Sequence, residues 1–143
     1  YGFYGGDAYN YIMLGGYAVT GVTDPSKNFV EYSSIRNSSY WIDFNTNNKK
    51  LAWGLFAGYT KNLGSANEIV GPIYARGSDI DFVYRVSGRL IWNMNKFRIA
   101  PELEYTAVAY ARRGDFDIDK YDKVTGSKTV ANLRALVGFY YFF

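Results

Sequence analysis

The sequence predicts an all-β chain: an antiparallel up-and-down transmembrane β-barrel, with residues 1–143 as one domain made of the C-terminal strands of a larger barrel. Three observations lead there. Several runs of ten to sixteen residues alternate at period two, and strands point successive side chains to opposite faces. One face is the aromatic one on nearly every run, in a chain with 15 Tyr, 10 Phe and 3 Trp. Short and long connections alternate, as they do when one end of a barrel carries tight turns and the other long loops.

Taken in order, residues 1–4 read as the tail of a strand and Gly5-Gly6-Asp7 as a tight turn. Residues 9–19 (YNYIMLGGYAV) form a strand candidate with the weakest alternation. Residues 20–37 are polar, carry the turn signal Asp24-Pro25 and are expected to be a long loop. Residues 38–46 put Tyr40, Ile42 and Phe44 on one face and Trp41, Asp43 and Asn45 on the other, and 47–49 make a short turn. Residues 50–60 set Leu51, Trp53, Leu55, Ala57 and Tyr59 against mostly small residues, and 61–77 form a second long loop.

The cleanest alternation is 78–93, where Ile80, Phe82, Tyr84, Val86, Gly88, Leu90 and Trp92 oppose a face that includes Asp79, Asp81, Arg85 and Arg89. A four-residue turn, Asn93-Met94-Asn95-Lys96, leads into 97–111, with Phe97, Ile99, Leu103 and Tyr105 opposite Arg98, Glu102 and Glu104. Residues 112–127 are a third long loop. The closing strand, 128–143, carries Leu133, Val137, Phe139, Tyr141 and Phe143 on one side and Asn132, Arg134 and Tyr140 on the other. An exposed end of Phe-Tyr-Tyr-Phe-Phe would recruit other strand edges in water, whereas at a membrane interface it is at home.

Composition agrees. Mean hydropathy is −0.21 and the longest apolar run is the eight residues 136–143, against the ~18 that a membrane helix needs. Leu51 to Tyr59, Tyr84 to Trp92 and Phe97 to Tyr105 each span eight residues of the aromatic face. At ~3.4 Å per residue and ~40° tilt this is roughly 21 Å, close to the ~25 Å apolar band of such barrels. Six or seven strands fall short of the ~8 that close the smallest barrels, so further strands are expected from the same chain or from another. Tyr1 starts in mid-pattern without a leader, which predicts a mature or N-terminally truncated chain.

Cys and His are both absent. No disulfide framework or thiolate metal site is expected, and the commonest general base and metal ligand is missing, so no catalytic residue, metal or cofactor is assigned. The net charge of +3 has no basic tract behind it and gives no reason to expect nucleic acid as a partner. Asp115-x-Asp117-x-Asp119 has the first spacing of a calcium loop, but Lys120 replaces the sixth-position Gly and Gly126 the closing Glu, so a solvated loop is expected.

The pattern Gly138, Tyr141, Phe143 resembles the C-terminal assembly signal of bacterial outer-membrane barrels, with Leu136 where a polar residue belongs. The segments MLGGYAV (13–19), GLFAGYTKNLG (54–64), YARGSDIDFVYRVSGRL (74–90) and RIAPELEYTAVAY (98–110) resemble the C-terminal half of porin-type barrels of the Bacteroidetes outer membrane. The resemblance implies location in the bacterial outer membrane, passive solute uptake, and contact with the lipid bilayer, lipopolysaccharide and the barrel assembly machinery. It further implies a homo-trimer or an envelope complex.

The inner face by parity carries Lys50, Arg85, Arg89, Arg98 and Arg134 against Asp43, Asp79, Asp81, Glu102 and Glu104. With Trp92 facing Phe97 across the turn, Arg85 lies opposite Glu104 and Ser87 opposite Glu102. Such charges either line a pore and select solutes through a transverse field or form cross-strand ion pairs that satisfy the wall. The functional expectation is a pore for small hydrophilic solutes. The alternative is a scaffold barrel whose loops bind partners in an envelope complex.

Overall fold

Where both faces carry a clear signal, the strands form where the alternation puts them; where both faces are polar, they run further. The computed structural model describes residues 1–7, 13–112 and 117–143. Eight strands lie in it: β1 (Gly2–Gly6), β2 (Gly15–Asp24), β3 (Phe29–Asn45), β4 (Leu51–Ser65), β5 (Ile73–Arg76), β6 (Ile80–Met94), β7 (Phe97–Ala111) and β8 (Ser127–Tyr141). They form one antiparallel sheet in the order β5-β2-β3-β4-β6-β7-β8, with β1 also on β3, and the sheet curls into a half-barrel.

Residues 20–37 are not a loop. They form a hairpin of β2 and β3 closed at Pro25–Asn28, so the expected alternation of short and long connections fails at its first member. Asp24 makes the turn: its Oδ1 accepts from the Ser26 N–H at 3.0 Å and the Ser26 hydroxyl at 2.6 Å, and its carbonyl from the Lys27 N–H at 3.2 Å. Asn28, at φ 53°, completes it in the left-handed region that Asn tolerates. Ser33, Ser34 and Glu31 blunt the contrast between the two faces, so alternation does not mark these strands.

Nor do Gly5-Gly6-Asp7 turn the chain into a hairpin. β1 and β2 lie along the same edge of β3: Gly6 faces Arg36 and Gly16 faces Ile35, so the two strands meet β3 on neighbouring rungs. The strand expected at 9–19 begins at Gly15, and residues 9–12 lie outside the described residues. The second expected loop is also shorter, since β4 continues to Ser65 and the connection contains β5, which pairs with β2.

The β6–β7 turn is two residues, Asn95-Lys96, with Met94 opposite Phe97 and Asn95 at φ 53°. Trp92 therefore faces Ile99, two residues from the expected register. Each residue keeps its face, because only an odd slip would reverse it.

The polar side is the concave one. Ser87 and Glu104 on it are 4% and 8% exposed, whereas their neighbours Val86 and Leu103 on the convex side are 49% and 53% exposed. The convex side is banded. Aromatic pairs lie toward the loop end (Tyr59–Phe82, 5.8 Å; Tyr84–Tyr105, 6.0 Å) and toward the turn end (Phe44–Trp53, 5.5 Å; Phe97–Tyr141, 5.6 Å). Aliphatic rows such as Leu55–Gly88–Leu103–Ala135 lie between them.

Candidate functional site

The concave face of β3, β4, β6, β7 and β8 gathers most of the sequence-predicted lining residues. Glu104, opposite Ser87 and Arg134, sits between two arginines: Arg85 Nη1 is 3.4 Å away, and Arg134 Nη2 reaches its two oxygens at 3.1 and 3.2 Å. Arg85 also donates to the Thr106 hydroxyl at 3.0 Å. The Arg85–Glu104 contact expected across the hairpin thus exists, as a diagonal, because Arg85 itself faces Thr106.

Arg89 faces Glu102 on β7 but turns the other way. Its Nη2 meets Asp43 Oδ1 at 2.6 Å and Asn45 Oδ1 at 2.8 Å, and its Nε meets Asn45 at 3.2 Å. Both partners are on β3, so the side chain crosses β4. It can do so because the residue beneath it is Gly54, where a Cβ would collide with Asn45 Oδ1. In the sequence Gly54 is one of several small residues on its face; its place between Asn45 and Arg89 follows only from register.

Arg98 donates to Asn93 Oδ1 at 2.7 Å and lies 5.4 Å over the Phe142 ring. Among the described residues no cation pairs with Glu102 and no carboxylate with Arg98. The wall therefore carries four arginines against three carboxylates, with signs alternating from β3 through β6 and β7 to β8. This is closer to a ladder of ion pairs than to separate basic and acidic rows. Each partly exposed contact contributes ~0.2–1 kcal/mol.

Two expected members are elsewhere. Asp81 is the extra residue of a β-bulge, between Ile80 opposite Tyr110 and Phe82 opposite Ala109. A bulge resets parity, and the Asp81 carboxylate meets Lys61 and the Ser127 hydroxyl (3.3 Å), both on rungs of the convex face. Asp79 precedes β6 at the loop end, where its carbonyl accepts from the Ala111 N–H at 2.7 Å. In the β7–β8 connection, Asp119 Oδ1 accepts the Tyr121 and Lys123 N–H groups at 2.9 and 3.0 Å, serving a turn; Asp115 lies outside the described residues.

Beside the charges lies a recess of about 390 Å³ lined by Leu14, Trp41, Phe56, Thr60, Val83 and Arg85. A second, of about 440 Å³ nearer the turn end, is lined by Arg89, Ile91, Arg98, Glu102, Gly138 and Tyr140. Gly138 faces Ala100, and the Tyr140 ring lies back over it, 2.9 Å from where a Cβ would sit. Tyr141 packs against Phe97 and Phe143 (5.3 Å) on the convex side, and Phe142 against Arg98 on the concave side. No family model, curated protein or solved structure matches the chain.

Proposed function

We propose that the chain is wall and lining of a β-barrel pore in the bacterial outer membrane, through which small hydrophilic solutes diffuse. The observation that carries this reading is the contrast between faces. The convex side exposes an aliphatic band between two aromatic girdles, a patch much larger than the few hundred Å² that soluble monomers tolerate. The concave side carries arginines and carboxylates with recesses beside them. Lipid suits the first face and water the second. On this reading the partners are the bilayer with its lipopolysaccharide, the assembly machinery that would take up the Gly138–Tyr141–Phe143 end, and further strands or copies that complete the barrel.

A second reading, a narrow scaffold barrel in an envelope complex, draws support from the β7–β8 connection, which folds back onto the end of β4. Conductance separates the two. In planar bilayers the combined change Arg85→Glu, Arg89→Glu and Arg98→Glu should move the reversal potential under a salt gradient toward cation preference. The shift should shrink near 1 M salt, where screening reaches ~3 Å. Parent protein that inserts, by protease protection, yet passes no current would end the pore reading in favour of the scaffold.

A further inference from the structure

The connection between β7 and β8 does not stay beside its own strands. β6 lies between β7 and β4 in the sheet, yet residues 120–122 reach β4 and the segment after it. The Ser65 N–H donates to the Tyr121 carbonyl at 2.7 Å, the Ile69 N–H to the Lys120 carbonyl at 2.9 Å, and the Asn62 amide to the Asp122 carbonyl at 3.4 Å. Residues 117–126 are internally braced: Ile118 bridges Val124, and the Thr125 N–H donates to the Asp117 carbonyl at 2.7 Å. They dock as a small hairpin on Asn62, a concave-face residue only 2% exposed.

Asp122 sits at that contact. It is 3% exposed, and its Oδ2 meets no donor. The other buried side-chain atoms without a hydrogen bond among the described residues, Asn37 Oδ1 and Asp117 Oδ2, are also oxygens. The region lacks donors, not acceptors.

Among the described residues no ion pair reaches Asp122, and the nearby cations on the surrounding elements are engaged elsewhere. Arg36 is committed to the Gly64 and Ser65 carbonyls at 3.2 and 3.0 Å, Lys120 to Glu68 at 2.8 Å, and Lys61 to Asp81. At the hairpin itself Arg112 lies 4.0 Å from Asp117, and the Lys123 ammonium makes no ion pair among the described residues. Burial, then the nearby charges of Asp119 and Asp79, push the Asp122 carboxyl up to about 7.

We propose that the 117–126 hairpin is a proton-operated strap, held across β6 onto β4 while Asp122 carries a proton and released when Asp122 ionises. A released Asp122 would titrate near the ordinary value of ~3.9. Docking therefore takes up a proton between the two values. It is strongest below about pH 4, weakens about tenfold per pH unit toward pH 7, and is level above.

The strap's geometry stands apart from conduction, and so does its test. The chain has no cysteine, so Ala66→Cys and Thr125→Cys can carry two spin labels on the otherwise unaltered full chain, refolded in lipid vesicles. Pulsed electron paramagnetic resonance should give a short distance at pH 4.5 and a growing long-distance population by pH 8. Asp122→Asn should hold the short distance at every pH, and Asp119→Asn, which removes a charge that repels ionised Asp122 in the docked state, should leave more of the short distance at pH 8. An unchanged distance distribution from pH 4.5 to 8 in the labelled parent overturns the proposal. So does a pH response that survives Asp122→Asn, or, if that variant does not fold, a long-distance population at pH 8 that Asp119→Asn leaves undiminished.

Discussion

Gly54 gives the sharpest test of the concave network. A Cβ there would collide with Asn45 Oδ1 and lie 2.9 Å from Arg89 Nε, so Gly54→Ala must displace one of them. Arg89 would then give up contacts of 2.6, 2.8 and 3.2 Å to Asp43 and Asn45. For a partly exposed guanidinium these are together worth roughly 1–2 kcal/mol. Alanine in place of strand glycine returns ~0.5–1 kcal/mol of backbone entropy, so the net loss is only about 0.5–1 kcal/mol. Gly88 on β6 is the control. It neighbours Arg89 but faces outward, and a Cβ there meets only Leu55 Cδ2, at 3.6 Å. Gly88→Ala should keep the backbone gain without a collision. The difference between the two variants cancels the backbone contribution and leaves the Arg89 network, about 1–2 kcal/mol or roughly 5–30-fold in the folding constant. Urea titration in lipid vesicles, followed by tryptophan fluorescence, measures it. Repeating the pair with Arg89→Ala should close the gap. If Gly54→Ala is no worse than Gly88→Ala, or the gap persists without Arg89, the path across β4 is not what Gly54 serves.

Two further outcomes test the faces. Leu133 and Asn132 are adjacent on β8 and both exposed in the isolated chain, so in water Arg at either site would be nearly neutral. If the convex side meets lipid, Leu133→Arg should cost about 2–4 kcal/mol in the same titration, and Asn132→Arg, facing the lumen, under about 0.5 kcal/mol; equal costs would remove the lipid-facing assignment. At the chain end, if the chain is part of an outer-membrane barrel, Phe143→Asp should lower the yield of heat-modifiable folded protein in the outer-membrane fraction much more than Phe142→Asp. Phe143 packs outward on Tyr141, whereas Phe142 lies against Arg98; equal tolerance would detach the terminal aromatic from assembly.

By itself the sequence determined the all-β, antiparallel architecture and, for most strands, which residue looks which way. Side-chain direction in a strand is a local property with a period of two, so Leu133 against Arg134, or Leu103 against Glu104, can be sorted without knowing any neighbour. Even the two-residue error in the β6–β7 register did no harm to the faces, since an even slip preserves them. Tertiary structure decided whatever depends on a partner strand. The β2–β3 hairpin was hidden because its serines and Glu31 leave little contrast for alternation to display. Asp81 changed face because a bulge inserts a single residue, which no local pattern records. Arg89 chose Asp43 over Glu102 because Gly54, thirty-five positions earlier in the chain, leaves the way open. The burial of Asp122 against Asn62, sixty residues away, is of the same kind. Period-two alternation is written within one strand, whereas ion-pair choice and carboxylate burial are set by residues that only the assembled sheet brings side by side.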